Sequence, residues 1–222
     1  MLNFLARRLA MMVVTMLAVS LLTFLLLAVN GESVVVKVLG PYSTMEQREI
    51  WLEANGYNRP AAERYVAWLA DVLRGDFGES IRYRAPVADV LWPRLGNTAI
   101  LAAVVFGIMV PMSILAGVIA GMREGGVTDR AISLFSILTT SVPEFASAVF
   151  LVFVFVLTLG WFPATSTMSG GFQPIQLVMP AMVLILFGFG YVARMMRASM
   201  ADVMQSEYVR TAVLKGLPFR RV

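Results

Sequence analysis

The sequence predicts an all-α membrane protein with four transmembrane helices and a helical segment outside the membrane after the first of them. Hydrophobic residues make up 59% of the 222 residues and charged residues 14%, against about 25% charged in an ordinary globular domain. The charges are also segregated, since none falls within 9–29, 95–122 or 145–193. A helix needs about 20 apolar residues to cross a bilayer, so each stretch is long enough.

Composition also excludes several classes of function. The chain has no cysteine and no histidine, so disulfides and the usual Cys/His zinc sites are ruled out, and enzymes with a His base or a Cys nucleophile are disfavoured. We expect no cofactor. The net charge of +4 does not predict nucleic-acid binding, because the excess lies in 194–222, with six Lys/Arg and two Asp/Glu. The 21 apolar residues after the N-terminus predict an uncleaved anchor helix instead of a signal peptide.

The four predicted spans are 9–29, 98–120, 131–159 and 175–193. Arg7 and Arg8 precede the first span and predict a cytoplasmic N-terminus under the positive-inside rule. Four spans then return the C-terminus to the cytoplasm, where the basic 194–222 segment belongs. The 160–174 turn carries no charge and falls outside, so both ends of the chain predict the same topology.

The 30–97 segment is predicted to be external and helical, with eight Lys/Arg and nine Asp/Glu. Long loops cross the membrane whatever their charge, so this one does not decide the orientation. Ser43 and Glu46 have the spacing of a capping box, which predicts a helix that stops at Asn55 and Gly56.

A second external helix is predicted from Pro60, which suits a first helical turn, to Gly75. Its apolar stripe consists of Tyr65, Leu69, Val72 and Leu73. The 86–95 stretch is either a third short helix along the membrane interface or a plain connector.

Prolines are expected to interrupt two spans, at Pro111 and at Pro143, because proline removes one backbone bond and clashes with the preceding turn. Such a bend serves either a static shape or a change during transport. Glu144 is the only acid between 131 and 193. An acid at membrane depth is costly, which makes Pro143 and Glu144 candidates for the translocation path. The alternative is that Glu144 pairs with a neighbour or faces a wet cavity without touching substrate.

Other patterns favour packing over chemistry. The fifteen methionines are interpreted as packing residues and not as a metal site, and Gly188 and Gly190 as points of close helix approach. The sequence has no phosphate-binding loop with its lysine, so any ATP that drives this protein binds to another chain.

The cytoplasmic tail carries the strongest pattern. Arg194 and Arg197 mark the membrane edge, and a helix continues beyond them. Ala212 and Gly216 are four residues apart, which predicts two small residues on one helical face and close docking against a protein. Three basic residues near the end of the tail pair either with acids of a partner or with anionic lipid headgroups. These are Lys215, Arg220 and Arg221.

This tail resembles the signature loop of ABC importer permeases, most closely in the peptide/nickel branch. That signature reads Glu-Ala-Ala, three residues, then Gly. Aligned on Gly216, it falls on Arg210, Thr211 and Ala212, so only the second Ala and the Gly are kept. Further pieces follow the family's order and spacing: FLARRLA, YVAWLADVLRGDFGES, RLGNT, SVPEF, LGWFPA and VMPA.

The resemblance implies an inner-membrane permease without enzymatic activity of its own, belonging to a bacterial importer. A sister permease subunit, two ATPase subunits and an external substrate-binding protein are its implied partners, with the lipid bilayer around it. The whole of 1–222 would be one transmembrane domain, with a coupling loop in 197–222 and a coupling helix near 207–217. Its implied ATPase contacts are Glu207, Tyr208, Arg210, Thr211, Ala212, Lys215 and Gly216. Similar systems carry dipeptides, longer peptides, glutathione, nickel chelates or sugars.

Family members continue through two more spans to six, whereas this sequence stops at Val222 within the loop. The resemblance therefore implies an incomplete transmembrane domain. Two other functions remain open from the sequence: a membrane assembly protein without cargo, and an intramembrane enzyme. The enzyme would need paired acids, or histidine or cysteine, within its spans.

Overall fold

The computed structural model describes residues 1–28, 31–168 and 171–218. The chain forms two compact units, Met1–Pro93 and Arg94–Val222. Three residues named in the sequence predictions lie outside the described residues: Arg220, Arg221 and Val222.

The first unit contains four helices and a short hairpin before the fifth helix begins. Its elements are α1 Leu2–Ala28, α2 Gly31–Leu39, α3 Met45–Ala54, α4 Ala61–Leu73, β1 Glu79–Ser80 and β2 Ala85–Pro86. The two strands are antiparallel, with Glu79 opposite Pro86. Neither α2 nor the hairpin was predicted. α2 has only nine residues, and its apolar residues form a short run that shows no helical period, while two-residue strands leave almost no pattern.

The capping box of α3 forms one residue later than predicted. Thr44 is the N-cap residue: its hydroxyl accepts the Gln47 N–H at 3.3 Å, and the Gln47 side chain accepts the Thr44 N–H at 3.0 Å. The predicted pair, Ser43 and Glu46, is wrong because the Ser43 hydroxyl donates instead to the carbonyl of Gly40 at 2.9 Å.

The end of α3 and the start of α4 lie at or next to the positions predicted from the sequence. As predicted, α3 stops at Asn55, and the next residue, Gly56, has φ +68°. Pro60 is the N-cap of α4 and does not lie in its first turn. Tyr65 is buried on α4, and its hydroxyl lies 2.7 Å from the Ser20 hydroxyl of α1. Of the other residues in the predicted apolar stripe, Leu69 and Val72 are half-buried and Leu73 is exposed.

One continuous helix, α5 Val87–Met122, replaces two predicted features. The 86–95 stretch is neither a separate interface helix nor a connector, because Pro86 ends β2 and residues 87–95 form the first turns of this 36-residue helix. The interruption expected at Pro111 is also wrong, since the helix continues through it. Membrane helices tolerate proline where the surrounding structure satisfies the freed backbone groups.

The second unit continues from α5 into three more helices and a terminal short one. They are α6 Val127–Ser141, α7 Glu144–Leu151 with a π-helical extension Val152–Thr158, α8 Ile175–Met204 and α9 Glu207–Leu214. The chain bends by 96° between α6 and the helix that begins at Glu144. The break expected near Pro143 is therefore confirmed.

Three described helices are long and apolar enough to cross a membrane: α1, α5 and α8. A fourth span results if α6 and the bent helix after it, α7 with its π-helical extension, are taken together as one broken span. Helices make up most of the described residues, and the two strands have only two residues each, so the predicted all-α membrane fold is confirmed.

Small residues bring the helices of the second unit together around α8. A Cβ atom added to Gly190 would lie 2.5 Å from the carbonyl oxygen of Ser136 on α6. One added to Gly188 would strike the Met109 side chain of α5. The close approach predicted at these two glycines is confirmed, and it is repeated at Gly117, where an added Cβ would lie 2.7 Å from the Ala193 carbonyl oxygen.

Candidate functional site: a short helix and its ion-pair support

The short helix α9 follows α8 after a turn of two residues, Gln205 and Ser206. The Ser206 hydroxyl donates to the Val203 carbonyl at 2.6 Å, which holds the turn against the end of α8. Val209 is 5% exposed and anchors one side of α9. Tyr208, by contrast, is 65% exposed. The helix is therefore fixed along one face and open along the rest.

Gly216 ends the helix and does not belong to its face. The residue has φ +72°, a left-handed conformation that glycine adopts without strain. Its N–H donates to the Val213 carbonyl at 2.9 Å, and the Leu217 N–H donates to the Ala212 carbonyl at 3.3 Å. This pair of bonds is a Schellman cap. The prediction that Ala212 and Gly216 share a helical face is wrong, because the helix stops at Leu214.

The seven predicted ATPase contacts lie together on and just after α9. Ala212 is half-buried, and the other six residues are exposed. Arg210 and Glu207 approach to 3.9 Å as a solvent-exposed pair, which contributes little to stability. The exposed side chains leave most of this helix free to contact another protein.

A buried ion pair joins the beginning of α6 to the end of α8. Asp129 lies in the first turn of α6 and is 4% exposed. The Arg197 guanidinium donates one hydrogen bond to each of the two Asp129 carboxylate oxygens, and both bonds are 2.8 Å long. The Gly125 N–H and the Ser133 hydroxyl complete the shell, at 2.9 and 3.2 Å. Two-pronged bonding of this kind is strong and fixes the relative orientation of both groups.

The loop between α5 and α6 extends this support to the base of α9. Glu124 lies 3.6 Å from the Arg197 guanidinium. Its other oxygen accepts a bond from the Gln205 side-chain amide at 3.0 Å. Gln205 directly precedes the N-cap Ser206 of α9. Asp129, Glu124 and Arg197 therefore hold the turn from which α9 emerges.

Sequence reasoning missed this cluster, since Arg197 was interpreted only as a marker of the membrane edge. A detectable signal was present. Asp129 stands close to the start of one apolar stretch, and Arg197 stands just past the end of another. Charges at such positions are rarely left unpaired.

The other predicted site residues lie at the break between α6 and α7. Pro143 is the N-cap of α7, and its carbonyl accepts the N–H groups of Ala146 and Ser147 at 3.0 and 3.1 Å. Glu144 is half-buried, and no cation of the described chain lies within 4.0 Å of its carboxylate. None of the described hydrogen bonds or ion pairs connects it with α9.

Hydroxyl groups stabilise the end of α6 at this break. Thr140 donates to the Ser136 carbonyl at 2.9 Å, and Ser141 donates to the Ile137 carbonyl at 2.7 Å. Bonds of this kind, from a hydroxyl back to the carbonyl four residues earlier, often bend a helix. Among the described residues, no group of three or more acidic side chains has a geometry that would hold a metal ion.

Comparison with known proteins places the whole chain in one family. Residues 113–222 match the family described as "Binding-protein-dependent transport system inner membrane component". Residues 1–110 match the corresponding N-terminal family.

Individual relatives agree with these matches. A probable peptide ABC transporter permease protein of Sinorhizobium fredii is 32% identical over 96% of this chain and 69% of its own length. A putative peptide transport system permease protein of Brucella abortus is 33% identical over 95% of this chain and 68% of its own length. The oligopeptide transport system permease protein AppB of Bacillus subtilis is 30% identical over 99% of this chain and 72% of its own length. The chain thus belongs to the permease subunits of binding-protein-dependent ABC importers, in their peptide branch.

Proposed function

We propose that this permease subunit moves peptides, or a related small solute, across the inner membrane by alternating access. ATP binding and hydrolysis on two separate ATPase subunits drive the change, and a sister permease forms the other half of the pathway. The relatives named as peptide permeases support the substrate class. The absence of a phosphate-binding loop from the sequence agrees with ATP hydrolysis on a partner.

The observation that carries this proposal is the placement of α9. It presents exposed side chains while its base is held by the Asp129–Arg197 pair and by Glu124. The 30-residue α8 leads directly into it from the apolar part of the second unit. A partner that displaces α9 would act on α8 through this short turn, and such a link suits a rigid-body change between two states of a transporter.

We place α9 and both chain ends in the cytoplasm, with the 30–97 segment outside, where it helps to receive a substrate-binding protein. The Arg7 and Arg8 pair before the first span supports this orientation. In the same arrangement, Pro143 and Glu144 lie at the break of the third span and remain candidates for the translocation path. A half-buried acid at a broken membrane helix, with no cation of the described residues within 4.0 Å, supports that assignment.

The outward face of α9 gives a direct test. We expect Tyr208→Asp with Leu214→Asp to reduce co-purification of the cognate ATPase subunits at least about tenfold, since a central exposed contact carries much of an interface's energy. Leu214 is 80% exposed, so the fold should tolerate both changes. The matched control is Tyr42→Asp, at a position that is 98% exposed on the first unit. Normal ATPase recovery with the double variant would refute the docking assignment.

A further inference from the structure

A cationic cleft lies in the first unit. Its volume is about 780 Å³, within the range of small-molecule sites. Four elements line it: Phe24 of α1, Lys37 of α2, Arg64 of α4 and the hairpin loop with Arg82 and Arg84. Tyr57 completes the wall between α3 and α4.

The cleft concentrates positive charge. Among the described residues, no acidic side chain lines it, and none of its four cations lies within 4.0 Å of a carboxylate. Glu79 lines an adjoining cavity that shares Lys37 and Arg84 with the cleft. Four like charges in one concave site create a field that attracts an anion.

Arg64 is held in place by aromatic rings and not by an acid. Its guanidinium lies 4.1 Å from the centre of the Tyr57 ring and 5.7 Å from the centre of the Phe24 ring. Stacking of this kind orients the guanidinium without using the donors along its edge. Those donors suit a phosphate or carboxylate, which binds two of them at once.

Arg84 has an unusual backbone for its residue type. Its φ is +49°, in the left-handed region that glycine and asparagine adopt more easily. Its N–H closes the hairpin by donating to the Ser80 carbonyl at 2.7 Å. An arginine at such a position costs backbone energy, and its side chain lines the cleft.

The cleft includes a residue close to the end of the apolar span formed by α1. Phe24 is two residues before Leu26, the last residue of the apolar span formed by α1. The ring of Trp68 lies 6.1 Å from Phe24, and Trp68 is 38% exposed. Aromatic side chains with this mixed exposure are typical of the headgroup level of a membrane.

We propose that this cleft binds the phosphate headgroup of an anionic phospholipid, with Lys37, Arg64 and Arg84 contacting the phosphate and the lipid's acyl chains lying along α1. The exposed apolar surface of α1 supports the second contact, because Leu22 and Leu26 are 61% and 69% exposed. Binding there would tie the first unit to the membrane surface.

Native mass spectrometry of the full chain in detergent tests the proposal, with dioleoyl phosphatidylglycerol as the probe and dioleoyl phosphatidylcholine as the zwitterionic comparison. We expect the unmodified protein to retain one phosphatidylglycerol in preference to phosphatidylcholine. Lys37→Gln with Arg84→Asn should bind it about 30-fold more weakly, because each basic side chain near a headgroup contributes about a fivefold factor. Asparagine at position 84 also relieves the backbone, so this variant should unfold at a temperature no lower than the parent.

The control variant, Arg59→Gln with Arg74→Gln, removes the same charge from exposed positions of the first unit that do not line the cleft. Its lipid affinity should stay within about twofold of the parent, since exposed charges beyond the site contribute weakly. Equal loss in both variants, or equal binding of the two lipids, would overturn the proposal. Displacement of the lipid by inorganic phosphate alone would assign the cleft to a soluble anion. Displacement by a free dipeptide, through its carboxylate, would assign it to substrate.

Discussion

The buried pair formed by Asp129 and Arg197 makes a quantitative prediction. Loss of one partner of a buried ion pair costs about 3–5 kcal/mol, because the other charge stays buried without compensation. The two partners differ in exposure, with side chains 5% exposed for Asp129 and 31% for Arg197. Arg197→Met strands the more deeply buried charge, which keeps only the Gly125 and Ser133 donors. We therefore expect Arg197→Met to lower the free energy of unfolding by about 3 kcal/mol.

Loss of the acid, in Asp129→Asn, should lower the free energy of unfolding by less than loss of Arg197 does. Asp129→Asn leaves a guanidinium that remains partly solvated and still has Glu124 at 3.6 Å. We expect a loss of about 1.5 kcal/mol, the value of hydrogen bonds to a charged group. The double variant has no stranded charge, so it should be about 2 kcal/mol more stable than the sum of the single losses implies.

Equilibrium unfolding by dodecyl sulfate in mixed micelles, followed by far-ultraviolet circular dichroism, measures these differences. Arg210→Met is the matched control. It breaks the pair with Glu207, whose side chains are 73% and 87% exposed, and should change stability by no more than about 0.5 kcal/mol. Additive single losses, or an Arg197→Met effect as small as the control's, would refute the assignment of this pair as a structural support for α9.

Three further outcomes follow from backbone geometry and topology. Gly190→Ala should lower stability by about 1–3 kcal/mol through overpacking, whereas Gly107→Ala, with no atom within 4 Å of the added Cβ, should raise it by about 0.5–1 kcal/mol; thermal unfolding distinguishes them. Gly216→Ala should increase tryptic cleavage after Lys215, because alanine adopts a φ of +72° only with strain and the cap loosens. Gly216→Asn should increase it less, since asparagine tolerates this conformation better, and equal cleavage rates in the two variants would contradict the cap. Since the chain has no cysteine, Tyr42→Cys should react with an impermeant maleimide on intact spheroplasts, and Tyr208→Cys only after permeabilisation. The opposite labelling pattern would show that the chain is oriented in the membrane the other way round from the proposed topology.

The sequence by itself determined the membrane class, the helical fold and the family. Charge-free stretches such as 9–29 are long enough to require spanning helices, because the bilayer core offers no water to unsatisfied backbone groups. Local chemistry also determined several boundaries. Asn55 with Gly56 ends α3, and Pro143 breaks the third span, because each residue restricts or frees its own backbone.

Only the tertiary structure decided which side chains meet. Asp129 and Arg197 are 68 residues apart in sequence, so no local periodicity relates them, and their pairing depends on how α6 packs against α8. The role of Gly216 was likewise decided by the three-dimensional backbone. A spacing of four residues is compatible with a shared helical face, but the chain had already turned left-handed at that residue. Sequence patterns record the preferences of single segments, whereas the support beneath α9 arises from contacts between residues that lie far apart in the sequence.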